Sequence, residues 1–142
     1  MRVLFAAALL VLSGGAATAE TPDGYIQKPE WLSKPTATDV GKAVARTQAT
    51  GPVGVGVTIK VAVDCTVAAD GRLENCQVAS EAPAHCAGGE AALRLMGKFK
   101  MAPATADDQA TAGGRVRVPI KFVGAAKPMT SPTDIARVCR YP

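Results

Sequence analysis

Large aromatic side chains are scarce in this chain of 142 residues, with one Trp, two Tyr and three Phe. So thin a supply argues against a stacking surface for single-stranded nucleic acid. A dense Lys/Arg block is also missing. The 16 basic and 12 acidic residues are scattered, and the formal charge of +4 does not point to nucleic acid. There is no Cys-x-x-Cys redox pair and no Cys-x-x-Cys-His haem site. Gly54-Val55-Gly56 does not complete a phosphate-binding glycine pattern, and it runs into a strand rather than a helix. No internal repeat is present. The apolar run Val3–Leu12 falls short of the ~20 residues that span a bilayer, and no other stretch comes close.

What the chain does have begins with an export pattern. Met1-Arg2 is positive, Val3–Leu12 is apolar, and Ser13–Ala19 is built of small residues ending in Ala-Thr-Ala. These are the three parts of a cleavable signal, with cleavage between Ala19 and Glu20. No cysteine follows the run closely, so a lipid anchor is not indicated. The expectation is an exported product without a membrane span, beginning at Glu20. Residues 20–35 form a Pro-punctuated arm in which Trp31 is the one large anchor.

The region 36–123 reads as one domain, followed by a tail over 124–142. Residues 36–50 predict a short helix, capped by Thr38 or Asp39, with Val40, Ala43, Val44 and Thr47 at helical spacing and Gly51-Pro52 as the stop. Val55, Val57, Ile59, Val61, Val63, Cys65 and Val67 occupy every odd position, which is the period of a half-buried strand. Asp70-Gly71 is a hairpin turn, and Leu73–Ser80 returns as a second strand. Glu81–Gly89 reads as a loop. Glu90–Lys98 predicts a second helix with Ala92, Leu95, Met96 and Phe99 on one apolar stripe. Ala104–Gly114 reads as a polar, flexible loop. Val116, Val118, Ile120 and Phe122 then alternate with Arg115, Arg117, Pro119 and Lys121 as a third strand. Pro119 has no N–H to give a ladder, which places this strand at a sheet edge or at a bulge. In the tail, Asp134–Val138 can make a helical turn. The fold class is α+β, a three-stranded antiparallel sheet with two helices on the odd-numbered face of its first strand.

Four cysteines in an exported chain favour disulfides. A two-residue loop at Asp70-Gly71 sets Cys65 opposite Cys76 and Val63 opposite Val78, on one face. A three-residue loop with a bulge would move Cys76 out of line. Cys86 and Cys139 are then paired by elimination. Buried free thiols are the plainer alternative.

The order helix, strand, Asp-Gly turn, strand, helix, strand resembles the TonB C-terminal domain. Val63–Val67 with Ala69–Leu73 looks like that family's first hairpin. Glu81-Ala82-Pro83, Ala91-Ala92-Leu93 and Phe99–Pro103 look like its second helix and exit, and Val118–Phe122 looks like its last strand. The resemblance covers residues 34–123. It implies a periplasmic domain that adds an extended peptide, the TonB box of an outer-membrane transporter, to a sheet edge. Carried onto this chain, the docking edge is Arg115, Val116, Arg117, Val118, Ile120, Lys121 and Phe122. A complete TonB also has a membrane anchor and a long Pro-rich spacer, where this chain shows a cleavable signal and a short arm. Force needs a tether at both ends, so the expected role is binding in support of TonB-dependent transport rather than pulling. An edge-to-edge homodimer through the third strand is the competing use of the same edge.

The remaining candidates are weaker. His85 beside Cys86 lacks both a third orienting group for a thiol nucleophile and two further ligands for a metal. Asp64, Asp70 and Glu74 read as turn and solvent-face residues. Arg115, Arg117 and Lys121 give the third strand a basic outer face, which steers an acidic partner or resists aggregation. The expectation is a protein-binding module, not an enzyme, without cofactor, metal or nucleic acid. The alternative function is a disulfide-stabilised scaffold of the cell envelope without a peptide ligand.

Overall fold

The computed structural model describes residues 24–48, 56–124 and 127–140. The export signal over 1–19, the start of the arm, the helix stop at Gly51-Pro52 and Gly54-Val55 lie outside the described residues.

The strand period produces the sheet. β2 (Ile59–Val67) buries its odd residues and turns its even ones outward. It lies between β3 (Leu73–Ala82) and β5 (Arg115–Phe122), antiparallel to both, in the order β3-β2-β5. On β5 the even residues Val116, Val118 and Phe122 are buried and Ile120 is half-buried. The expected α+β class, the three-stranded antiparallel sheet and the edge position of the third strand are all present.

The helical layer covers the odd face of β2. α1 (Ala37–Gln48) and α2 (Gly88–Leu95) pack on each other, and α2 also packs on β2 and β3. α2 runs into a 3-10 turn, Met96–Lys98. Ala91, Ala92, Leu95 and Met96 join the odd residues of β2 in one core. The residues about this core are small, so the layers approach closely. A Cβ on Gly88 would lie 2.5 Å from Ile59 Cγ2.

Several expectations need correction. The helix α1 is capped by Thr36 rather than Thr38 or Asp39. Thr36 Oγ1 accepts from the Asp39 N–H at 3.2 Å, and the Asp39 carboxylate accepts from the Thr36 N–H at 3.0 Å. This reciprocal box needs an acceptor three residues inside the helix, which is the role Asp39 takes. Its carboxyl is held at about 2, chiefly by the Thr36 N–H, then by the Thr36 hydroxyl, with a smaller contribution from Lys98. α2 begins at Gly88 rather than Glu90, and a third helix, α3 (Pro132–Val138), replaces the expected single turn. A second, two-stranded sheet was not foreseen: β1 (Trp31–Ser33) pairs with β4 (Lys100–Met101). It ties the arm to the domain, and Trp31 meets Phe99 edge-on at 5.0 Å. The segment 104–114, read as a polar, flexible loop, is a hydrogen-bonded loop in which Ala104 bridges Ala110. Thr105 and Thr111 are buried there, and Thr111 Oγ1 donates to the Ala102 carbonyl at 2.6 Å.

The hairpin differs from the two-residue expectation in an instructive way. Ala68 N–H donates to the Arg72 carbonyl at 2.8 Å, so the loop holds three residues, Ala69-Asp70-Gly71, with Gly71 at φ 85°. That shifts the register by one near the turn, where Val67 faces Leu73. Asn75, at φ 50°, then bulges and restores the alignment, so Asp64 faces Gln77 and Val63 faces Val78. Cys65 and Cys76 are consequently in reach and bonded, and Cys86 is bonded to Cys139. The second bond fastens the tail to the loop before α2.

Candidate functional site

Which backbone groups of β5 are already used decides what its outer edge can do. Gly114 carbonyl accepts from Val67 N–H at 2.9 Å, on the β2 side. Ile26 N–H donates to the Arg115 carbonyl at 2.7 Å, on the opposite side. Successive residues of a strand direct their backbone groups to alternate sides. Val116, Val118, Ile120 and Phe122 therefore bond toward β2, while Arg117, Pro119 and Lys121 present theirs outward. Pro119 sits where its missing N–H costs no ladder bond. Among the described residues, no strand pairs with this outer edge.

Beside the edge lies a groove of about 510 Å³. One wall is the strand itself, from Arg117 to Lys121. The other is formed by Trp31, Val40 and Phe99 with Pro29 and Pro35. The walls come from distant parts of the sequence: the arm, α1 and the exit of α2. The Trp31–Phe99 contact and the β1–β4 pairing hold them in place.

The other outer edge, β3, is less suited to a partner. It carries two register irregularities against β2, one between Ala62 and Val63 and one between Asp64 and Thr66. Bulges bend an edge and interrupt its row of donors and acceptors. β5 pairs with β2 in unbroken register from Arg115 to Phe122.

The basic face of β5 is not uniform. Arg117 grips Asp64 with two bonds, Nε to Oδ1 at 2.7 Å and a terminal nitrogen to Oδ2 at 2.8 Å. Tyr25 hydroxyl donates to Asp64 Oδ2 at 2.6 Å and accepts from Arg115 and Arg117 at 2.8 and 2.9 Å. Both guanidinium carbons lie 4.5 Å from the Tyr25 ring centre. The Arg117 hydrogen bonds are the main cause of the Asp64 carboxyl lying at about 2, against the opposing effect of burial, with help from the Tyr25 hydroxyl. Arg117 is held still more firmly protonated in return. Much of its charge is therefore answered within the chain, unlike the expectation of a freely steering cation. Lys121 differs. It is exposed and faces Lys60 across the strands, and neither is in an ion pair among the described residues.

Asp64 and Tyr25 were missed at the sequence level. Asp64 sits on the outward parity of its strand and looked like any solvent-facing carboxylate. Tyr25 is separated from it by 39 positions. Glu81 was missed as well. It is the penultimate residue of β3 and accepts from the N–H groups of Cys86, Gly88 and Gly89 at 3.0, 3.1 and 2.9 Å, closing the start of α2.

The other candidates resolve simply. Cys86, the thiol weighed beside His85, is bonded to Cys139. Among the described residues there is no group of three or more His, Cys, Asp or Glu that could hold a metal ion. Likewise, no helix among them is long and apolar enough to cross a membrane. The two disulfides fit an exported protein. No family model matches the chain, and neither a curated protein nor a solved structure does.

Proposed function

We propose that this chain is a periplasmic interaction module of the TonB C-terminal type, which binds an extended segment of an envelope transporter along the outer edge of β5. The observation that carries the reading is the coincidence of two features at one place. The outward backbone groups of Arg117, Pro119 and Lys121 lie beside a groove with apolar walls. An added strand takes its affinity from backbone bonds and its selectivity from alternate side chains. Here one set of those side chains would enter the groove between β5 and the wall of Trp31, Val40 and Phe99. The other set would lie on the open face beside Lys121. Like charges directly opposite one another destabilise a sheet, and Lys60 and Lys121 are such a pair. An acidic side chain next to Lys121 relieves that repulsion, so the favoured segment is extended, alternating and acidic on its outer side.

The test is an NMR titration of the folded protein with TonB-box-like peptides. Shifts should concentrate at Arg117–Lys121 and at Trp31 and Phe99. Lys121→Pro removes an outward N–H and spares the ladder to β2, so the fold should persist while binding weakens. Shifts confined to β3 or the helices, or none at all, overturn the reading. Pairing of two copies through β5 would instead appear as concentration-dependent shifts without peptide.

A further inference from the structure

We infer that Tyr25 and Ile26 act as a clip that sets where a docked segment must stop. They close the outer edge of β5 at Arg115 and confine an added strand to Arg117–Lys121. This rests on the docking role proposed above.

Three contacts hold the clip. Ile26 takes the position of a neighbouring strand residue, with its N–H on the Arg115 carbonyl at 2.7 Å. Its side chain is 4% exposed and lies against Gly114, where a Cβ would stand 2.7 Å from Ile26 Cδ1. Gly114 therefore has the one side chain that allows this approach. Tyr25 then locks the turn from the open face. Its hydroxyl joins Asp64, Arg115 and Arg117, and its ring lies against both guanidinium groups. Arg117 is thus the junction: its side chain belongs to the clip and its outward backbone groups belong to the docking edge.

A tether serving stability alone would need only the buried Ile26 and the β1–β4 pairing. Placing Ile26 N–H on the outward carbonyl of β5 uses up the same kind of group that an incoming strand needs. A segment long enough to pass Arg117 must either bend away or displace Tyr25 and Ile26. The clip accordingly sets the register, because the end of the segment is fixed against it, and it sets an upper limit on the paired length.

The experiment compares two synthetic peptides of alternating valine and glutamate, one of five and one of nine residues, against the full chain. The proteins are wild type, Ile26→Pro, which deletes the donor to Arg115, and Tyr25→Ala, which leaves every sheet bond in place and so guards against loss of fold. Wild type should bind both peptides about equally. In Ile26→Pro the freed Arg115 carbonyl adds a backbone bond, and the long peptide should gain about tenfold over the short one. In Tyr25→Ala, where Ile26 is no longer locked and the long peptide can displace it, the gain should be smaller but present. Tyr25→Phe keeps the ring against the two guanidiniums and should fall between wild type and Tyr25→Ala. The same long-to-short ratio in all proteins overturns the clip and leaves docking standing. No binding of either peptide by any of the proteins overturns docking, and the clip with it.

Discussion

Glu81→Ala tests whether one carboxylate at the end of a strand holds a helix in place. Left-handed backbone at His85 and Ala87, φ 62° and 60°, brings the amides before α2 toward a common point. Glu81 fills that point and accepts from three of them at 2.9 to 3.1 Å. A carboxylate there also complements the positive end of the helix. Truncation leaves three donors without their acceptor, and an unsatisfied buried group costs about 1–3 kcal/mol. Glu81 is only partly buried, so water recovers some of this, and the expected net loss is about 2–4 kcal/mol. Against a usual stability of about 5–15 kcal/mol that is a large share. In urea melts with both disulfides intact, the midpoint should fall by about 1–2 M at an ordinary slope. Glu81→Gln, which keeps one acceptor oxygen and loses the charge, should lose less than Glu81→Ala. A Glu81→Ala midpoint within about 0.2 M of wild type would refute the reasoning, since water would then satisfy the three amides unaided.

Three further outcomes are expected. The Asp64 carboxyl lies at about 2, below its ordinary 3.8, so its contribution to stability is complete above about pH 4 and is lost as the pH falls toward 2. Because Arg117 is 50% exposed, screening reduces this to about 1 kcal/mol, and Asp64→Asn should flatten that limb of an acid-denaturation curve. Gly71→Ala places a Cβ 2.2 Å from the Met101 carbonyl oxygen at φ 85° and should cost about 2 kcal/mol or more, read as a lower melting temperature. Replacing Cys86 and Cys139 by serine opens a loop of 53 residues. The chain-entropy model puts the loss at about 4 kcal/mol, and calorimetry of the double variant would expose a much smaller effect.

Periodicity accounts for most of what could be read without coordinates. Alternation in Val55–Val67 and Arg115–Phe122 pointed to the two strands, their buried faces and the edge placement of Pro119, because a strand has a side-chain period of two whatever surrounds it. Among the described residues, however, the first strand starts only at Ile59. The apolar stripe through Ala92, Leu95 and Met96 determined the second helix in the same way. The two cysteine pairs came out as expected, but the route to Cys65–Cys76 did not. The hairpin loop is one residue longer than the Asp-Gly pattern implied, and the bulge at Asn75 returns Cys76 to its place. A register offset and its compensation are both invisible to a pattern that counts only from the turn.

The sequence by itself determined the three strands of the main sheet, the core-facing residues of β2 and β5 and the edge position of β5, since each follows from local spacing; the β1–β4 pair was decided by the tertiary structure. Tertiary structure alone decided what stands beside that edge. Trp31, Val40 and Phe99 become one wall only when the arm, α1 and the exit of α2 converge. Tyr25 meets Asp64 only when the arm crosses the end of β5. Glu81 finds α2 only when the loop after β3 folds back. The first two share a physical reason: side chains far apart along the chain are brought together by burial of the core, which has no short-range signature at the residues it carries with it. Glu81, by contrast, reaches amides only five to eight positions on and depends on the left-handed turns at His85 and Ala87.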